Sequence, residues 1–142
     1  MKTLIAAAML AAGLAIAPQA LAGDLTVELT GAQARPGKVY STLSTRETLF
    51  GQGGRTAVSD AADGKVTVTF SDVPPGDYAF MAYHDEDEDG KMATGPGGMP
   101  AEGWALSNSE RLMGPPTFDV LKFTVPAEGA TIRTPLIYAS GQ

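Results

Sequence analysis

The stretch Tyr83-His84-Asp85-Glu86-Asp87-Glu88-Asp89-Gly90-Lys91-Met92 sets five consecutive carboxylates between an apolar run and a glycine. Within it Asp85, Asp87, Asp89 and Gly90 read as D-x-D-x-D-G. A hard cation such as Ca²⁺ takes about six to eight oxygen ligands, several of them anionic, and alternate aspartates converge when the chain curls around the ion. Glycine at the sixth position permits the sharp turn, and the backbone carbonyl of Lys91 falls at the seventh. This is the first half of an EF-hand loop. The second half is missing, because the twelfth position is Pro96 and the flanks read as a strand and a Gly-Pro segment. An ion here must complete its shell with water or with a downstream oxygen from Glu102, Asn108 or Asp119, while Glu86 and Glu88 point outward. The expected metal ligands are Asp85, Asp87, Asp89, Lys91 and Glu102, the expected ion is Ca²⁺, and the expected affinity is weak, about 10⁻⁴ to 10⁻³ M. The competing reading is a solvated acidic turn. Five like charges with few cations nearby favour a counter-ion.

Other chemistries find less support. His84 is the only histidine, which excludes zinc sites built on two or three imidazoles. Ser71, Ser107 or Ser109 could be combined with His84 and an acid, but no G-x-S-x-G elbow and no triad-like spacing is present. The runs GQGG and GPGG lack the strand-to-helix setting of a phosphate-binding loop. The chain is therefore expected to be non-enzymatic, with a small hydrolase centred on His84 as the lesser alternative.

The elements that must position the acidic loop read as strands. Residues 24–30 and 64–70 alternate, with Leu25, Val27 and Leu29 on one face of the first and Val66, Val68 and Phe70 on one face of the second. Residues 38–45 form a weaker strand, and residues 122–125 and 131–138 repeat the pattern. Residues 77–84 are apolar on both faces, as expected of a strand in the middle of a sheet. Turn clusters separate these runs. Residues 93–117, rich in Gly and Pro and carrying the only Trp, Trp104, show no clear strand and at most a turn or two of helix near Ser109. A loop this long is expected to be functional, either plugging one end of the domain or closing over the acidic turn.

The first 22 residues set Lys2 before an apolar run over 4–17 and the small-x-small ending Ala20-Leu21-Ala22. That is the layout of a secretory signal peptide, with cleavage expected before Gly23. The apolar run is shorter than the roughly 20 residues of a spanning helix, and the absence of cysteine excludes both a lipid anchor at the cleavage point and disulfides. The expectation is an exported protein of the periplasm or cell exterior, with residues 1–22 as signal peptide and 23–142 as one monomeric domain. The chain carries 10 basic and 16 acidic side chains for a net charge of −6. The acidity is concentrated in residues 85–89, and nothing is basic enough for nucleic acid.

The segments VPPGDYAFMAYHDEDEDGKM, GMPAEGWALSN and GPPTFDVLKFTV, in this order, resemble a family of small exported bacterial proteins known as domain of unknown function 2141. The resemblance covers the mature chain from about Leu25 to Tyr138. It implies an all-β fold: a single immunoglobulin-like or prealbumin-like antiparallel β-sandwich of about seven strands. Carried over residue by residue, its pattern points to His84, Asp85, Asp89, Gly90, Lys91, Glu102, Gly103, Trp104, Ser107 and Asn108. It implies no activity. Of these, His84, Trp104, Ser107 and Asn108 are candidate ligand-binding residues, with an unidentified protein or glycan of the cell envelope as partner and Tyr83 and Trp104 as an aromatic platform.

Overall fold

The computed structural model describes residues 22–139. The expected signal peptide, residues 1–22, lies outside the described residues except for Ala22. Eight strands follow in order: β1 (Gly23–Ala32), β2 (Lys38–Ser44), β3 (Arg55–Asp60), β4 (Gly64–Val73), β5 (Gly76–Asp85), β6 (Gly103–Leu106), β7 (Phe123–Val125) and β8 (Ala130–Pro135). A four-residue helix, α1 (Phe118–Leu121), precedes β7. The strands make a three-stranded sheet, β4-β1-β8, and a five-stranded sheet, β3-β2-β5-β6 with β7 also on β5. About seven strands, all antiparallel, were expected, but β8 lies parallel to β1, with Leu25 beside Ala130. The chain reaches β8 from β7, in the other sheet, so no hairpin forces it to run back along β1.

The period-2 patterns explain the main pairings. Leu25, Val27 and Leu29 of β1 face inward beside Val66, Val68 and Phe70 of β4, with Val27 opposite Val68. They meet Val39 and Leu43 of β2 and Phe80 and Ala82 of β5 in one apolar core. Phe70 and Phe80, from opposite sheets, meet edge to face at 6.4 Å between ring centres. The chain crosses from β4 to β5 through Pro74-Pro75, and the Tyr78 hydroxyl closes that crossing by donating to the Pro74 carbonyl at 2.8 Å.

The central place of β5 explains its two apolar faces. It pairs with β2 along one edge, while β6 takes residues 81–84 and β7 residues 76–78 of the other. Between β6 and β7 the chain makes an excursion that carries α1. Phe118 and Leu121 come down on Ala79 and form a small second core on the outer face of the larger sheet. This covers one half of that face. The other half, where Tyr40, Met81, Tyr83 and Trp104 project, stays open as a groove.

Residues 93–117 contain a strand that the sequence reading did not expect. β6 holds there because Gly103 lies so close to the Tyr138 ring that a Cβ would overlap it. Single 3₁₀ turns occupy Pro96–Gly98 and Ser109–Arg111. Among the described residues no helix is long and apolar enough to cross a membrane.

Candidate metal centre

β5 delivers its last two residues, His84 and Asp85, into the buried end of the sandwich, 1% and 0% exposed. From there the chain curls back on itself. The Asp85 carboxylate accepts the N–H of Asp89 at 3.2 Å and of Gly90 at 2.9 Å, one on each oxygen. Asp89 accepts the Lys91 N–H at 2.8 Å, and Asp87 lies 3.3 Å from the Asp89 N–H. Gly90 makes the turn with φ of 76°, in the left-handed region that glycine enters without strain. Ligand oxygens of Asp85, Asp87 and Asp89 thereby lie within 4.8 Å of one another. Oxygens bound to a single Ca²⁺ at about 2.3–2.6 Å can be at most about 5 Å apart, so the spacing fits one ion. Each carboxylate oxygen keeps a lone pair free after one hydrogen bond.

The crowding has an electrostatic signature at Asp87. The Asp89 N–H favours its charged form, but partial desolvation, the Asp89 charge and the shared position with Asp85 outweigh it and hold the carboxyl above its ordinary value. Glu86 turns away from this cluster, as expected, and pairs with Arg35 at 2.9 Å. Arg35 in turn lies over the Tyr138 ring, 5.1 Å from its centre. Neither contact was foreseen, since Arg35 is 51 residues from Glu86.

Glu102 reaches the loop from the residue just before β6, and each of its oxygens accepts one backbone N–H. One accepts the Glu86 N–H and the other the Ala93 N–H, both at 2.9 Å. Its buried carboxylate thus pins the two ends of the acidic loop together, and it lies outside the group of three converging aspartates. The Lys91 N–H donates to Asp89, whereas the ligand expected of this residue is its backbone carbonyl. Asp119 is remote in function from the loop, paired with Arg46 at 2.6 Å and Lys122 at 3.5 Å.

Of the four ligand-binding candidates, Trp104 lines the groove and the other three hold the fold. His84 Nε2 lies 2.9 Å from the Pro36 carbonyl and Nδ1 lies 2.9 Å from the Tyr138 hydroxyl. A carbonyl only accepts, so the proton sits on Nε2, and Tyr138 donates to Nδ1 while accepting the Gln33 N–H. Burial pushes the Tyr138 phenol up, which keeps that donated proton in place. Ser107 donates to the Leu121 carbonyl at 2.6 Å, and Asn108 donates to the Lys122 carbonyl at 2.8 Å, tying the excursion before β7 to the end of β6.

The groove on the open half of the larger sheet has a volume of about 310 Å³. The register places Tyr40 opposite Tyr83 and Tyr83 opposite Trp104, so three aromatic side chains stand in a row across β2, β5 and β6. The Tyr40 and Tyr83 rings stack with centres 5.3 Å apart. Residue 92, next after Lys91, forms part of its wall.

No curated protein and no solved structure matches the chain. Residues 27–133, which include the acidic loop and most of the paired strand residues, match the family described as "Uncharacterized protein conserved in bacteria (DUF2141)". The chain belongs to that family.

Proposed function

We propose that the protein is an exported, non-enzymatic β-sandwich module that binds one Ca²⁺ weakly through its D-x-D-x-D-G loop. The observation that carries this reading is the convergence of Asp85, Asp87 and Asp89 within the span of one coordination shell. The loop is already curled by its own backbone hydrogen bonds, so an ion would meet carboxylates largely in place. Binding would offset the mutual repulsion registered at Asp87. It would also stiffen residues 93–101, which fold back on themselves through the Ala101 N–H to Ala93 carbonyl bond at 2.8 Å. Export rests on the character of residues 1–22 as a sequence.

At about 10 mM Ca²⁺ and a dissociation constant of about 10⁻⁴ to 10⁻³ M, linkage gives roughly 1.4–2.7 kcal/mol of added stability. Calorimetry should therefore record a clear rise in Tm. Asp85→Ala combined with Asp89→Ala should abolish the rise, and an unresponsive wild-type protein would remove the calcium reading.

A second reading, a module for glycan or other envelope ligands, is favoured by the row containing Tyr83 and Trp104 along the groove. It predicts saturable changes in Trp104 fluorescence with glycans, independent of Ca²⁺. A silent glycan titration counts against it.

A further inference from the structure

The groove and the acidic loop adjoin, and together they have a chemistry that neither has alone. Tyr40, Tyr83 and Trp104 present ring surfaces, and Met81, Met92 and Pro100 add apolar walls. The Tyr83 hydroxyl donates to the Gly90 carbonyl at 3.1 Å, so one end of the groove opens directly onto the loop. There Asp87, Glu88 and Asp89 are exposed, and no ion pair among the described residues neutralises them. Aromatic faces carry negative potential as well and attract cations. A neutral ligand would gain nothing from the charge at that end, and an anion would be repelled.

We propose that this groove binds an amphiphilic organic ammonium, with its apolar chain or ring along Tyr40, Tyr83 and Trp104 and its cationic head toward Asp87, Glu88 and Asp89. The charge complementarity is between a permanent cation and a loop end that is anionic without any bound metal, so the proposal does not rest on the calcium reading.

The test is run in chelator on the purified protein, following the emission of Trp104, the only tryptophan. Nonyltrimethylammonium, nonyl sulfate and nonyl maltoside are titrated below their micelle-forming concentrations. The ammonium should bind saturably, roughly ten-fold more tightly than the other two, with a preference that shrinks as salt is raised. Asp87→Asn with Glu88→Gln should narrow the preference several-fold, and Tyr40→Thr should weaken all three ligands. Equal binding of the three, no saturable change with any, or an undiminished preference in the Asp87→Asn, Glu88→Gln protein would overturn the proposal. Should Tyr40→Thr fail to fold, the salt dependence of the wild-type preference decides the matter.

Discussion

Glu102→Gln separates a backbone staple from a metal ligand. The Glu102 carboxylate, 6% exposed, accepts one N–H from each end of the acidic loop. Glutamine keeps the shape but offers one carbonyl oxygen and one NH₂, so one of the two backbone donors faces another donor. A hydrogen bond to a charged group contributes about 1.5–3 kcal/mol, and the surviving bond also loses its charge assistance. Relief of the repulsion that Glu102 exerts on Asp87 returns part of the loss, leaving a net cost of roughly 2 kcal/mol. In a domain of this size each kcal/mol moves Tm by about 4 °C, so Tm should fall by roughly 8 °C. Calorimetry in chelator and again in Ca²⁺ reads the effect, and amide exchange at Glu86 and Ala93 should quicken in parallel. A staple loses this stability with chelator present, whereas a ligand loses it only with Ca²⁺. A variant that melts with the wild type in chelator would refute the staple.

Three further outcomes follow from the same geometry. Tyr138→Phe leaves His84 Nδ1 and the Gln33 N–H without their partner and should cost about 1–2 kcal/mol in urea unfolding; an unchanged midpoint would contradict these two bonds. Ser41 is buried with its hydroxyl unpartnered among the described residues, so Ser41→Ala should stabilise by about 1 kcal/mol, and a loss of stability would reveal a bond at that oxygen. Because Asp87 is held above its ordinary 3.8, calcium-induced stabilisation should disappear as pH falls through the range just above that value. In chelator the sign reverses: folded Asp87 holds its proton more tightly than the unfolded chain, so its contribution favours folding as pH falls through the same range. Tm measured against pH, with and without Ca²⁺, checks both, and a calcium-induced rise that persists below 3.8 would contradict them.

Where one face of a strand is buried and the other wet, the sequence was readable. Leu25, Val27 and Leu29 alternate with polar residues for that reason, and β5 is apolar on both sides because α1 covers Ala79 while Phe80 faces the core. β3 was hidden because it is an edge strand of largely exposed residues, with even Val58 facing water. β6 was hidden because its four residues are embedded in Gly- and Pro-rich chain and depend on Tyr138, distant in sequence, to sit against Gly103. At the site, the spacing of Asp85, Asp87 and Asp89 was legible because the loop is local. The uses of Glu102 and His84 were not, since their partners are set by tertiary contacts at separations of 9 to 54 residues.

The most direct test of the calcium account is isothermal titration of the chelator-stripped protein with Ca²⁺. The account predicts one site per chain with a dissociation constant of about 10⁻⁴ to 10⁻³ M, lost in Asp85→Ala. Heat no greater than dilution across that range, or a site that survives Asp85→Ala, would contradict it.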